Sequence, residues 1–287
     1  MPSKDAALID AMLSEFVRSL VGKFPEKIDF ILLFGSAARG EFRAGTSDVD
    51  LIIQVKEEQD RDAVSAHAEK ILWSLDRKHG TRLREVCSTK KGDAFGILEK
   101  KASLYRPFAV TGPDDIDWEN GKISMKSLGA FAFVAPVSQF AKKVRREGKI
   151  LHGRDVLKTM KVRESFADNV KSLIVPYALS LFACLIAVPF PDRALRYSVK
   201  AVLYGIDNQL ALAGGDYARK THLNLMILRS ELGELYSIRL AREALLAKRD
   251  FDAVKKDWSY IDKLAFCAQA PAYISYNNLM SLLHHIK

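Results

Sequence analysis

Two short apolar runs, separated by a polar segment that contains three glycines, constrain the fold of this chain most strongly. The runs are Ile28–Phe34 and Val49–Val55. Each is shorter than an ordinary helix and almost free of polar residues, which is typical of strands covered on both faces of a sheet. We therefore predict two buried strands that are close in sequence and joined by a loop of unusual composition.

Helical periodicity flanks the two predicted strands. Apolar residues recur at helical spacing over 5–22 and 60–78, and Gly22 and Gly80 follow these segments. Weaker strand signals lie at 83–88, 105–111 and 130–135, followed by a predicted helix over 137–147 and an extended piece over 149–153. This order of elements indicates an α/β or α+β domain with a mixed sheet.

Beyond about residue 155 the pattern is helical throughout. Asp192 is a candidate cap for a helix that ends at Gly214-Gly215, and three further helices are predicted over 222–248, 250–268 and 272–286. We therefore place a domain boundary there, with a catalytic-type domain at 1–155 and an all-α domain at 156–287. Within the first domain, residues 92–135 are expected to be an insertion of unassigned purpose.

Composition excludes several classes of protein. Of 287 residues, 48% are hydrophobic and 28% charged, so the chain is not disordered, collagen-like or a disulfide scaffold. Its three cysteines form no CxxC pair, which fits a reducing cytoplasm. The formal net charge is +9, of which +3 falls on residues 1–150 and +6 on the remainder. The basic excess leans towards the helical half, where an anionic partner is a candidate.

One uncharged stretch has the length of a membrane span. Residues 172–191 contain no charged side chain over 20 positions. Pro176, the serines and the closing Pro189-Phe190-Pro191 favour a buried bundle helix or a subunit interface over a membrane span. We therefore expect no membrane partner, and a homo-oligomer remains open.

The loop between the two predicted strands has the residues for phosphate and metal chemistry. A strand that runs into Gly35-Ser36 and a short helix start leaves backbone N–H groups free to hold a phosphate. Asp48 and Asp50 are two apart at the start of the second strand, so both carboxylates project from one face. Paired carboxylates repel one another unless a cation joins them, and their oxygens suit Mg²⁺. This combination is what metal-assisted phosphoryl or nucleotidyl transfer requires.

These residues resemble a known family. Phe34-Gly35-Ser36, Arg39-Gly40 and Ser47-Asp48-Val49-Asp50-Leu51 are similar to the signature of the DNA polymerase beta-type nucleotidyltransferase superfamily, in its minimal and kanamycin-nucleotidyltransferase-like branches. Residues 146–153, REGKILHG, resemble a piece that often ends the catalytic domain in that group, with His152 where tyrosine is usual. The spacing from Ser36 to Asp48 is one residue longer than the commonest one. The resemblance implies an α+β nucleotidyltransferase domain followed by an all-α helical bundle.

The resemblance also implies roles for individual residues. Asp48 and Asp50 are expected to hold two Mg²⁺ ions, and a third carboxylate on a later strand joins them as metal ligand or general base. Glu85 is the candidate for this third carboxylate, with Asp93, Asp114, Asp115 and Asp117 as rivals and an exposed ion-paired acid as the alternative reading. Gly35, Ser36, Arg39 and Ser47 are the expected nucleotide-binding residues.

The predicted activity is transfer of an NMP, AMP from ATP or the equivalent from another NTP, to an acceptor hydroxyl with release of pyrophosphate. The acceptor is a small molecule, a protein side chain or a nucleic-acid end, and the basic helical half mildly favours nucleic acid. The alternative is a non-catalytic, antitoxin-like module that binds a nucleotide or a partner and keeps only the fold.

Overall fold

The computed structural model describes residues 4–83, 107–120, 122–123, 137–162, 166–213 and 221–286. It divides the chain into two compact units: Met1–Ala132 with Phe140–Arg163, and Phe133–Gln139 with Glu164–Lys287. The predicted fold class, a mixed sheet with flanking helices followed by a helical region, is confirmed. The predicted domain boundary near residue 155 stays a prediction.

The first unit is built on a four-stranded sheet in the order β3-β2-β1-β6. Strand β1 is antiparallel to both β2 and β6, and β3 is parallel to β2. The elements in chain order are α1 (Lys4–Lys23), β1 (Ile28–Phe34), α2 (Gly35–Ala38), β2 (Asp50–Val55), α3 (Arg61–His79), β3 (Phe108–Thr111), β4 (Ile116–Asp117), β5 (Lys122–Ile123), α4 (Val137–Glu147), β6 (Lys149–Gly153) and α5 (Val156–Thr159).

Both faces of this sheet are covered, as expected for strands that are mostly apolar. Alternate residues of β1 and β2, Ile31 and Leu33 among them, pack against α1 and α3. The other set, including Leu32 and Ile52, packs against α4, α5 and Trp118. The sheet is therefore the middle layer of an α-β-α arrangement, and its edges are the places where polar side chains reach solvent.

Part of the segment 92–135, which we expected to be an insertion, belongs to the sheet. Residues 108–111 form β3, and Leu51 of β2 lies opposite Phe108. Trp118 packs its ring on Phe30 and donates from Nε1 to the Gln54 side chain at 2.6 Å. The predicted strands over 83–88 and 130–135 lie outside the described residues, apart from Leu83.

The second unit is helical. Its elements are α6 (Phe166–Ile186), α7 (Pro191–Leu212), α8 (Thr221–Leu232), a short 3₁₀ turn (Gly233–Leu235), α9 (Arg239–Arg249), α10 (Phe251–Asp257) and α11 (Tyr260–Ile286). Helices α6, α7 and α11 pack on one another. Phe166 stacks on His285 and the Tyr260 hydroxyl donates to the Val188 carbonyl, so α6 and α11 run antiparallel.

Three sequence predictions in this unit were wrong in detail. The predicted helix over 222–248 is interrupted, because α8 ends at Leu232 and α9 begins at Arg239. The predicted break near Pro271 is absent, because α11 is continuous through that proline. The break lies at 258–259 instead, where the side chains and backbone N–H groups of Ser259 and Asp262 form a reciprocal capping box that starts α11. Asp192 does not cap α7 but lies in its first turn and pairs with the Lys263 ammonium at 2.7 Å.

Helix α6, which we predicted to be a buried bundle helix or a subunit interface, is only partly buried. It is long and apolar enough to cross a bilayer by length and composition, but only a third of its apolar window is buried. Ile174 and Leu181 are about half exposed, and Leu185 is 81% exposed. Helix α6 is therefore one-sided, with a packed face and an exposed apolar face.

Candidate active site

The two aspartates lie where β2 begins. Asp50 is the first residue of β2 and pairs with Phe34, the last residue of β1. Val49 and Leu51 point into the core beneath α1 and α3. Because side chains alternate along an extended chain, Asp48 and Asp50 both point to the opposite face, and both are half-buried. The structure thus brings the two predicted metal ligands together at one edge of the sheet.

The Asp50 carboxylate lies directly against Gly35. The backbone of Gly35 has φ +73°, and a Cβ built there would lie 2.0 Å from Asp50 Oδ2. A side chain at position 35 is therefore excluded twice, by the left-handed backbone and by the carboxylate itself. The glycine that the sequence assigned to phosphate binding also makes room for a predicted metal ligand.

The two serines of the predicted site hold the loop between α2 and β2. Ser36 is buried, and its hydroxyl is 3.5 Å from the backbone carbonyl of Asp48. Ser47 is also buried, its hydroxyl accepts the Arg43 N–H at 3.1 Å, and its own N–H donates to the Arg43 carbonyl. These contacts fix the backbone immediately before Asp48.

Arg39 is engaged by two carboxylates. Its guanidinium donates to Glu41 at 2.9 Å and to Glu147 at 2.5 Å, with 8% of the Arg39 side chain and 6% of the Glu147 side chain exposed. Burial alone would lower the pKa of Arg39, but the charges of Glu147 and Glu41 outweigh it and raise the pKa above its usual range. The sequence missed Glu147 as a partner because the two residues are 108 positions apart.

The two glycines of the segment REGKILHG, Gly148 and Gly153, lie where a side chain would clash with backbone. A Cβ at Gly148 would lie 2.4 Å from the Val144 carbonyl oxygen, and one at Gly153 would lie 1.9 Å from that of Asp29. Gly153 also has φ +78°. The segment therefore lets β6 lie close to β1 while its first residues deliver Glu147 to Arg39.

Glu85, the candidate third carboxylate, lies outside the described residues. The chain is described up to Leu83, which is fully buried. The Leu83 N–H donates to Asp76 Oδ1 at 2.7 Å, and the Thr81 hydroxyl donates to the same oxygen. Buried Asp76 at the end of α3 therefore holds the segment that leads to Glu85.

Three of its rivals lie at the wrong end of the sheet. Gln54, near the end of β2, is opposite Thr111, the last residue of β3, so residues after Thr111 are at the far edge from Asp50. At 3.3 Å per residue, four residues of strand separate the two ends by about 13 Å. Asp115 pairs there with Arg61 at 3.1 Å and accepts the Gly112 N–H. Asp114, Asp115 and Asp117 therefore do not join Asp48 and Asp50, and Asp93 lies outside the described residues.

The residues present fit a divalent cation shared with a nucleotide. No group of three or more His, Cys, Asp and Glu side chains suited to a metal occurs in the described part of the chain. Mg²⁺ in nucleotide sites is held by one or two carboxylates together with phosphate oxygens and water. The adjacent carboxylates of Asp48 and Asp50 match that requirement.

One comparison with known proteins agrees with this chemistry. Residues 12–101 match the family profile described as "Nucleotidyltransferase domain". No curated protein matches the sequence. Among solved structures, spectinomycin adenyltransferase from Enterococcus faecialis, determined with ATP and spectinomycin, is 16% identical and covers 96% of this chain and 98% of its own, with a TM-score of 0.46. A TM-score below 0.5 does not establish a common fold.

The matched region spans β1, α2, β2 and α3, and so includes the Gly35-Ser36 turn and both aspartates. The sequence-based identification therefore agrees with the family match at this level: residues 12–101, which include the turn and both aspartates, match a nucleotidyltransferase domain.

Proposed function

We propose that the protein transfers AMP from ATP, with Mg²⁺, to a hydroxyl group of an acceptor and releases pyrophosphate. The observation that carries this proposal is the position of Asp48 and Asp50, side by side at the start of β2 with the Asp50 carboxylate against Gly35. Carboxylates beside a glycine-containing turn suit a metal ion that is shared with a triphosphate.

Each residue of the turn has a distinct task in this proposal. Gly35 and Ser36 bind the β- and γ-phosphates through backbone N–H groups and the hydroxyl. Asp48 and Asp50 bind Mg²⁺, which when bound neutralises phosphate charge and lowers the pKa of the acceptor hydroxyl. Ser47 fixes the loop before Asp48. In this proposal Arg39 is held by Glu41 and Glu147, so it fixes the end of α2 and does not bind the phosphates.

The reaction is an in-line displacement. The acceptor oxygen forms a bond to the α-phosphorus, the bond from that phosphorus to the α,β-bridging oxygen breaks, and pyrophosphate leaves with the electron pair. The hydroxyl proton passes to a carboxylate, for which Glu85 remains our candidate. Catalysis is then mainly a matter of position and charge neutralisation.

The charge of the helical half bears on which classes of acceptor are expected. Residues 151–287 have a formal charge of +6, and the exposed basic residues include Arg239, Arg242 and Arg249. A polycationic acceptor is disfavoured there, because like charges repel it. A neutral or anionic small molecule, an acidic protein and a nucleic-acid end remain the acceptor classes to compare.

Label transfer tests the proposal. The protein is incubated with Mg²⁺ and ATP labelled at either the α- or the γ-phosphate, together with small-molecule, protein or RNA fractions of a cell extract. We expect the α-label to enter one fraction and the γ-label to leave as pyrophosphate. Asp48→Asn and Asp50→Asn should abolish both, whereas Asp10→Asn, an exposed change on α1, should not. Failure of the α-label to enter any fraction would favour the non-catalytic alternative.

A further inference from the structure

The exposed sides of α6 and α11 together form an uncharged apolar surface. On α6, large apolar residues are exposed at a spacing of three to four, and the same spacing continues on α11. We call this surface the uncharged face; it comprises Ile174, Leu181, Leu185 and Val188 of α6 and its following turn, and Ile261, Tyr276, Leu279, Leu283 and Ile286 of α11.

Charge is absent from this face and present elsewhere on the same unit. Residues 172–191 and 264–286 contain no Asp, Glu, Lys or Arg, although 28% of the whole chain is charged. The exposed positions of α9 and α10, by contrast, carry Arg239, Arg242, Arg249, Lys255 and Lys256. An exposed apolar surface of this extent on a soluble protein marks an interaction site.

The face has the dimensions of a dimer interface. At 1.5 Å per residue, α6 and α11 are roughly 30 and 40 Å long, and two adjacent helices are about 20 Å wide. The resulting area is on the order of 600–800 Å², close to the ~800 Å² per partner of a standard stable complex. Because α6 and α11 pack antiparallel, their exposed apolar sides belong to the same unit.

Side-chain size along the face suits a second copy of itself. Between Ile261 and Tyr276, the exposed residues on this side of α11 include the small Ala265, Ala268 and Ala272, with the polar Gln269 and Ser275 beside them. Small residues over this stretch let two helix pairs approach closely, and a two-fold axis near them brings large side chains of one copy against those of the other. One self-complementary patch is sufficient for such a contact.

The same observations weigh against other occupants. Nucleic acid needs positive charge, which the face lacks. A membrane would have to accept α11 as well as α6, and α11 exposes Gln269, Ser275, His284 and His285 beside its apolar residues. We propose that the protein is a homodimer joined through the uncharged face, with α6 and α11 of the two copies forming a four-helix contact.

Oligomeric state in solution tests this proposal on the full chain. Light scattering after size exclusion, at about 50 µM protein, should give about 64 kDa, twice the 32.1 kDa of one chain. Leu185→Glu combined with Leu279→Glu should give the monomer mass with an unchanged far-ultraviolet circular dichroism spectrum, because both side chains are already exposed in one chain. Leu246→Glu on α9, where the side chain is 60% exposed but off the face, is the matched control and should remain dimeric.

Vesicle flotation tests the other candidate partner of the uncharged face, a lipid membrane. Wild-type protein is mixed with vesicles of phosphatidylcholine and phosphatidylglycerol and centrifuged through a density gradient. We expect the dimer to stay with the soluble fraction. A monomeric wild type, a double variant that stays dimeric, or flotation that the double variant abolishes would each overturn the proposal.

Discussion

Gly35→Ala is the most informative single change, because the structure gives it two separable costs. The first is backbone strain: a residue with a Cβ at φ +73° loses roughly 1–2 kcal/mol of stability. The second is steric, since the new Cβ would lie 2.0 Å from Asp50 Oδ2, where side-chain contacts closer than 3.0 Å essentially do not occur. The carboxylate must therefore retreat by about 1 Å.

Such a retreat matters because Mg²⁺ demands ligand distances close to 2.0–2.1 Å. A contact to a charged group contributes about 1.5–3 kcal/mol, so its loss weakens Mg²⁺-dependent nucleotide binding roughly 10- to 100-fold. Titration calorimetry with a non-hydrolysable ATP analogue, once with Mg²⁺ and once with EDTA, measures this term separately from metal-independent binding.

Gly40→Ala is the matched control. Gly40 has φ +72° and nothing within 4 Å of a built Cβ. Gly40→Ala therefore introduces the same backbone strain but no contact with the Asp50 carboxylate. Both variants should lose similar stability in thermal melts, but only Gly35→Ala should lose the Mg²⁺-dependent affinity. Equal nucleotide affinities for the two variants would refute the reasoning that Gly35 seats Asp50 for metal binding.

Two further predictions concern charged pairs. Arg39→Met leaves Glu147 buried and uncompensated and should cost about 3–5 kcal/mol in denaturant unfolding, whereas Arg39→Met with Glu147→Met should recover much of that stability; a double variant no more stable than Arg39→Met would contradict the pairing. The hydrogen bonds of Ser259 lower the pKa of Asp262 from 3.8, so the stability that Asp262 contributes is complete above that pH and is lost as the pH falls through its folded value. Asp262→Asn should therefore lower the melting temperature at pH 7 and lower it progressively less as the pH falls below 3.8, and a loss that does not change with pH would rule out this linkage.

The local features of the first unit could be predicted from sequence because local patterns determine them. The run Ile28–Phe34 and the helix Val137–Glu147 have the predicted bounds, since each is set by apolar periodicity and by glycines within a few residues. The placement of Asp48 and Asp50 together could likewise be predicted, because a two-residue period puts both on one face; their roles, and that of Gly35, stay predictions.

Features that depend on distant contacts could not be predicted. The ion pair of Arg39 with Glu147 joins residues 108 positions apart, so nothing near Arg39 indicates it. The same holds for the pairing of β3: a strand over 105–111 was predicted, but its partner β2 lies more than 50 residues away along the chain. Pro271 does not break α11, because packing of α11 against α6 and α7 stabilises the helix on both sides of the proline.

A crystal structure with Mn²⁺ in place of Mg²⁺ and a non-hydrolysable ATP analogue tests directly whether the two aspartates bind the metal. We expect an anomalous manganese peak between the Asp48 and Asp50 carboxylates, with the β- and γ-phosphates on the backbone of Gly35 and Ser36. Manganese and nucleotide bound at full occupancy elsewhere, with both aspartates unengaged, would contradict it.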